Sequence, residues 1–218
     1  MKNTNNNMGN YDTFWKGVSK TPSWREYILP KRTETEFFNE GKQQATVLND
    51  LNLFDETSSI LEFGCGIGRV LKHINTNDTN KTGVDVCQAY LDKITIDITK
   101  VKSDGFVIPT VQNESKDFIY SLMVFQHINK IDHTKLLKQL YGFLKTGGKM
   151  YLQFPNEVND YYTRSEFVNL YNENELSEYF KEVGITNFEI TTGNLVGYGD
   201  GLVDSNTKHR EFIVLITK

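Results

Sequence analysis

Glu62-Phe63-Gly64-Cys65-Gly66-Ile67-Gly68 is the stretch on which the reading of the whole chain turns. It closes a short β-prone run, Ser59 to Phe63, and Arg69 to Ile74 follows with helical character, so the local pattern is strand, glycine turn, helix. Each glycine permits positive φ, or a close approach of a ligand to the backbone, directly after the strand. The alternation continues outward from the turn. Thr82-Gly83-Val84-Asp85-Val86 is a second strand with an acid near its end, followed by a helical stretch from Gln88 to Ile96 and a weaker strand at Thr99 to Lys102. Asp117 to Ser121 is a clear strand. Asp132 can then cap a helix in which Leu136, Leu137, Leu140, Phe143 and Leu144 share a face and which Gly147-Gly148 ends. Lys149 to Phe154 is the next strand, closed by Pro155, and a helix from Asn174 to Val183 ends at Gly184. Two β-prone runs, Asn187 to Thr192 and Glu211 to Thr217, are joined by a connection containing Gly197, Gly199 and Gly201 and read as an antiparallel hairpin. This order predicts an α/β fold with an open, mostly parallel sheet and an antiparallel C-terminal edge.

Before the turn, residues 1–10 are mostly small and polar and read as a disordered tail. Residues 11–52 read as an N-terminal helical cap or lid, and 53–218 as the main domain. Aromatic residues dominate from Tyr11 to Phe38, broken by Pro22 and Pro30. Thr33-Glu34-Thr35-Glu36 has capping-box spacing ahead of an amphipathic helix through Phe37, Gly41, Gln44, Ala45, Leu48 and Leu51. In 218 residues, 38% are apolar and 24% charged, which suffices for a core, and the net charge of −4 lacks the basic footprint of a nucleic-acid binder. No stretch approaches the ~20 apolar residues that cross a bilayer, and the N-terminal residues show no apolar signal core, so a cytoplasmic location with no membrane contact is expected. Cys65, Cys87 and four histidines make neither a disulfide framework nor a metal-ligand spacing, and no metal is expected.

Asp85 lies about 20 residues after the first glycine, at the end of the neighbouring strand, where a carboxylate can accept two hydrogen bonds from a ribose diol. A nucleoside-containing ligand follows. The dinucleotide fingerprint would need glycine at position 69, where this chain has Arg69, and no Gly-Lys-Ser/Thr follows to make a P-loop. The form E-x-G-x-G-x-G suits a ligand whose amino-acid end passes over the turn.

From about Phe37 to the C-terminus the sequence resembles the class I S-adenosylmethionine-dependent methyltransferases. The resemblance is carried by Ile60 to Arg69, Gly83 to Val86, Asp117 to Ser121, Phe125-Gln-His-Ile128 and Phe143 to Gly148. It implies a Rossmann-like, doubly wound sheet of seven strands and S-adenosyl-L-methionine as cofactor. By this likeness Gly64, Cys65, Gly66 and Gly68 line the methionine portion, the Cys65 thiol itself being a small filler of the turn, and Glu62 buttresses the turn or meets the amino group through water. Asp85 would hold the ribose and Val86 the adenine. Asp104, before Gly105, sits where the family often places an acid for the adenine amino group, with a solvated turn residue as the alternative. Ser121, Leu122 and Met123 would face the sulfonium, and Phe38 and Gly41 belong to a helix start that closes over the cofactor in related small-molecule enzymes.

Methyl transfer is mostly alignment, and a base is needed only if the acceptor arrives protonated. His127, after the fourth strand, is the candidate base, with a histidine that only bonds backbone as the alternative; His133, beside a helix cap, reads as a surface residue. Tyr161, Tyr162 and Arg164 lie in the loop after the fifth strand and could meet the acceptor, Arg164 through a carboxylate or phosphate. Trp24, with Trp15 and Tyr27, walls an acceptor pocket or packs the cap. The expected activity is methylation of an O or N atom of a small molecule. A regulatory protein that only binds the cofactor and, disfavoured by Arg69, an NAD-dependent oxidoreductase are the alternatives; oligomeric state is left open.

Overall fold

Strands β1 (Ile60–Phe63) and β2 (Lys81–Asp85) are buried at every residue, and β4 (Lys116–Ser121) at all but Asp117. Such unbroken burial belongs to parallel strands covered on both faces. The computed structural model describes residues 11–29, 32–157, 168–193 and 211–218, and in it these strands form the centre of a seven-stranded sheet. With β3 (Thr99–Lys102), β5 (Leu144–Pro155), β6 (Phe188–Gly193) and β7 (Glu211–Thr217), the order is β3-β2-β1-β4-β5-β7-β6. β1 to β5 pair in parallel and β7 runs antiparallel to both β5 and β6, as expected from the sequence. The chain works outward from β1 to β3 and then returns to the other side of β1. That reversal opens a crevice at the carboxyl ends of β1 and β4, where open α/β sheets bind ligands.

Alternation along β1 sorts its side chains to the two faces. Leu61 and Phe63 join a core that includes Leu136, Leu137 and Leu140 of α5 (His133–Phe143) and Leu176 and Phe180 of α6 (Glu173–Val183). Ile60 joins the opposite core, with Phe118, Tyr120 and Ala45 and Leu48 of α3 (Glu34–Asp50). The capping box of α3 forms as predicted: Thr33 Oγ1 accepts from the Glu36 amide at 3.3 Å, and the Glu36 carboxylate accepts from the Thr33 amide at 2.8 Å. Because α3 covers the sheet, the part of the N-terminal segment that stands over the strand ends is α1 (Tyr11–Val18) and α2 (Trp24–Ile28).

Three local readings are corrected. The helix expected from Arg69 to Ile74 is a single 3-10 turn at Leu71–His73, because the chain is drawn aside at Thr76, whose hydroxyl lies 2.8 Å from the Ser58 carbonyl oxygen and 3.0 Å from that of Glu56. The helix after β2 is likewise brief, α4 (Gln88–Leu91). α5 stops at Phe143, so Leu144 opens β5 and the Gly147-Gly148 pair lies inside the strand, where a Cβ on Gly148 would crowd the Lys116 and Asp117 carbonyls. The tail at 1–10, the loop residues Tyr161, Tyr162 and Arg164, and the glycines at 197, 199 and 201 lie outside the described residues.

Candidate active site

The three glycines of the turn all have positive φ, +78° at Gly64, +53° at Gly66 and +72° at Gly68, but their surroundings differ. A Cβ on Gly64 would overlap Val124, and one on Gly68 would press on Ile94 at 3.3 Å, so these two serve packing. A Cβ on Gly66 would enter open space. The Gly66 amide donates to Asp85 Oδ2 at 2.8 Å, while Asp85 Oδ1 accepts from the Cys87 amide at 2.8 Å. One carboxylate therefore ties the tip of β2 to the turn after β1. Burial pushes its pKa up to about 6, against the lowering effect of the Cys87 and Gly66 amides.

Asp85 and Gly66 border a cavity at the crevice. The turn and β1 contribute Phe63, Gly64, Gly66 and Arg69; β2 and α4 contribute Asp85, Val86 and Tyr90; the segment after β3 contributes Ser103 and Gly105. Leu122, Met123, Val124, His127 and Ile128 follow β4, and Tyr11, Trp15 and Ile28 come from the cap. Met123 is held at φ +61°, a strained value for a side-chain-bearing residue. Its amide donates to the buried Gln153, whose own amide is held by buried Glu211 across the β5–β7 pair. The antiparallel edge thus fixes the conformation of a residue that faces the cavity.

α1 straps the crevice. On one side Trp15 meets the Tyr90 ring, with centroids 6.4 Å apart, and Asp12 pairs with Lys102 at 3.2 Å. On the other, the Asn129 amide donates to the Tyr11 hydroxyl at 2.7 Å, and Trp15 stands edge-on to His127 at 5.5 Å. The His127 Nε2 lies 3.2 Å from the amide nitrogen of Gln126.

Of the residues proposed from sequence, Trp15, Gly64, Gly66, Asp85, Val86, Gly105, Leu122, Met123 and His127 come together around the cavity. Among the described residues, the other cofactor-site candidates and Trp24 do not line it. Glu62 lies fully buried beneath the turn, where Tyr120 donates to it at 2.9 Å, and burial pushes its pKa up to about 8 despite that bond and the nearby Arg69. The Cys65 thiol packs towards Gly83, and burial raises its pKa, as suits a filler. The Ser121 hydroxyl donates to the Phe63 carbonyl at 2.9 Å and joins β1 to β4. Gly41 lets α3 approach the backbone of Arg69, and Phe38 sits under the Lys72 ammonium at 4.6 Å. Asp104 accepts from the Phe106 and Val107 amides of its own turn at 2.8 and 2.7 Å. Trp24 packs on Phe37 and Tyr90.

Sequence reasoning missed Tyr11, Ile28, Phe63, Arg69, Tyr90, Ser103, Val124 and Ile128 as lining residues. Val124 and Ile128 flank the segment already singled out around His127, but nothing local marks Tyr11, which reaches the site only by the path of the cap. Arg69 is buried, donating to Gln44 at 2.8 Å and lying over the Phe37 ring. His133 is corrected outright. It is fully buried, with Nδ1 2.9 Å from the Asn129 carbonyl and Nε2 2.7 Å from the Tyr171 hydroxyl, because its ring is enclosed by Phe125, Phe154, Tyr171 and Tyr179, while Asp132 before it makes no side-chain cap bond.

A family profile described as a methyltransferase domain matches residues 41–190. The chain belongs to the methyltransferase-domain family. No curated protein sequence matches this methyltransferase. Among solved structures it is similar to a Thermotoga maritima protein described as a possible histamine N-methyltransferase, at 16% identity over 94% of this chain and 93% of that one, with a TM-score of 0.60. A Leishmania major S-adenosylmethionine-dependent methyltransferase is alike over 95% and 82% of the two chains, at 14% identity and a TM-score of 0.66. The Haemonchus contortus phosphoethanolamine N-methyltransferase 2, solved with S-adenosyl-L-methionine, matches 93% of this methyltransferase with 60% of its own chain, at 17% identity and a TM-score of 0.63. Among the described residues there is no cluster able to hold a metal and no helix long and apolar enough to cross a membrane.

Proposed function

We propose that this methyltransferase takes S-adenosylmethionine in the crevice and methylates a nitrogen or oxygen atom of a small-molecule acceptor. One observation carries the reading: Gly66 leaves open space above a turn whose amide is pinned by Asp85, and both border the same cavity. The residues fit the cofactor. The Asp85 carboxylate accepts from the Gly66, Cys87 and Val86 amides and still has lone-pair capacity for a ribose hydroxyl. Val86 offers an apolar surface for adenine, and Gly64 and Gly66 a bare backbone for the methionine end. S-adenosylmethionine supplies a methyl carbon on a sulfonium sulfur, open to in-line attack by an acceptor lone pair.

Leu122 and Met123, held in place by Gln153, form the wall beside which that line of attack runs. Tyr11 and Trp15 close the outer side and exclude water. His127 takes the proton of an acceptor that arrives protonated. The enclosure by α1 and α2 supports a small acceptor, and Tyr161, Tyr162 and Arg164 remain candidates to meet its far end.

Thermal melts and labelled-donor transfer test this together. S-adenosylmethionine and S-adenosylhomocysteine should raise the melting temperature while NAD does not, and label should move from the donor into a pool of small metabolites. Saturable binding of NAD with none of S-adenosylmethionine overturns the cofactor. With an acceptor in hand, His127→Ala should lower turnover by roughly 10²–10⁴-fold, recovering in part at high pH as the acceptor ionises alone.

A further inference from the structure

The Tyr90 hydroxyl is one of three buried side-chain polar atoms left without a hydrogen-bond partner among the described residues. The other two, Glu40 Oε2 and Gln126 Oε1, belong to groups whose second polar atom has a partner, and neither residue borders the cavity. Tyr90 has a single polar atom, is 2% exposed, and borders the cavity together with Asp85. Phenylalanine would fill the same space without burying an unpaired hydroxyl, so the hydroxyl costs the empty protein stability and brings it no contact. Burial above all, then the neighbouring Cys87 and Asp85, raise the phenol's pKa, so it stays protonated and offers a hydrogen.

The ring of Tyr90 has a different set of partners. Trp15 of α1 lies against it at 6.4 Å between centroids and Trp24 of α2 at 5.5 Å. These are the only tryptophans in the chain. Both elements of the cap therefore rest on the one side chain whose polar end is unused.

We propose that Tyr90 contacts the nucleoside of the bound ligand, its hydroxyl donating to the sugar held by Asp85 while its ring ties the occupied pocket to the two tryptophans of the cap. This rests on the cofactor reading above and adds a second polar contact at the nucleoside end. It also makes the closure of α1 and α2 dependent on what occupies that end. A ligand that satisfies the hydroxyl fixes the ring, and the fixed ring gives Trp15 and Trp24 a firmer surface.

The test is Tyr90→Phe in the full-length protein, titrated with S-adenosylhomocysteine and with 5′-methylthioadenosine, which keeps the nucleoside and lacks the amino-acid end. Affinity is read by calorimetry and cap response by tryptophan fluorescence. Wild type should bind both with a change in fluorescence. The variant should melt without ligand at or above the wild-type temperature and bind both ligands about tenfold more weakly, the loss of one hydrogen bond. Equal affinity of variant and wild type for both ligands overturns the proposal and leaves the cofactor reading standing. Weakening confined to S-adenosylhomocysteine overturns it too, by moving the contact to the amino-acid end, and a much lower melting temperature would make the hydroxyl structural. Wild type that binds neither ligand brings down the cofactor reading and this proposal with it.

Discussion

His127 and His133 stand a few residues apart and have opposite fates. His127 ends a 3-10 turn after β4, borders the cavity and meets the cap through Trp15. His133 opens α5, is wholly shielded from water, and has a partner for each ring nitrogen. The Asn129 carbonyl can only accept, so the proton sits on Nδ1 and Nε2 takes the Tyr171 hydroxyl, whose hydrogen the Phe125 carbonyl shares at 2.9 Å. The same contrast runs through the two regions. Around α5 the buried polar groups complete one another. At the crevice they keep capacity in reserve: an unpaired phenol on Tyr90 and spare lone-pair capacity on Asp85. Burial alone therefore does not separate a site from a core; unused hydrogen-bonding capacity beside a cavity does.

The contrast within the glycine turn should produce the largest effect. Gly64→Val puts a branched side chain into Val124 at a positive φ, and we expect a loss of about 4 kcal/mol or more, enough to abolish cooperative unfolding in urea. Gly66→Ala meets only open space and should cost about 1 kcal/mol for its positive φ, yet it should block S-adenosylhomocysteine. Equal urea midpoints for the two variants would show that the glycines do not divide the work in this way.

Next in size is His133→Ala, at about 3–4 kcal/mol, through a cavity and the stranded Asn129 carbonyl. Burial, above all, holds the His133 pKa down to about 4 in the folded chain, while an unfolded histidine takes its proton near 6.5. Between those values the unfolded state binds the extra proton. The His133 contribution therefore favours unfolding as pH falls from about 6.5 to 4, by about 3 kcal/mol in all. Urea midpoints across that range, compared with those of the variant, should show the slope shrink by that amount when the histidine is removed.

Much of this could be read from the chain alone, and the failures have a common cause. The mostly parallel sheet with its antiparallel C-terminal edge and the capping box at Thr33 follow from local patterns, and each appears as expected. So does the meeting of the glycine turn with Asp85, because the adjacent parallel strands β1 and β2 end side by side. His133 was misread because its burial depends on Tyr171, far along the chain, and Tyr90 was missed because an unpaired hydroxyl is a property of surroundings. The helix end at Phe143 was misplaced because a glycine pair reads as a stop signal whether or not the strand has already begun.

At the nucleoside end, Asp85→Asn should lower S-adenosylhomocysteine affinity by about 10- to 100-fold, or about 1.4–2.7 kcal/mol, and should also lower the melting temperature, because its NH2 faces one of the two backbone amides that the carboxylate accepts from. The charged carboxylate is the form that accepts from a ribose most strongly, and burial pushes its pKa up to about 6. Wild-type affinity should accordingly fall as pH drops below about 6, and that dependence should vanish in the variant. Calorimetry from pH 5 to 8 decides it. A wild-type affinity that is flat across that range removes Asp85 from the ribose.

The smallest expected effect belongs to His127, and it tests the comparison most directly because the side chain removed is the same. His127→Ala gives up an edge-on contact with Trp15 and a contact with Gln126 at the margin of a cavity, where a truncated side chain leaves space already open to the crevice. Its stability should therefore stay within about 1 kcal/mol of wild type, against about 3–4 kcal/mol for His133→Ala, measured under the same urea titration. A loss at His127 as large as that at His133 would make both histidines members of the core, and the fall in turnover proposed for the variant would then report damaged folding instead of a missing base. A small loss in stability beside a large loss in turnover assigns the two residues to different work, one to the fold and one to the acceptor's proton.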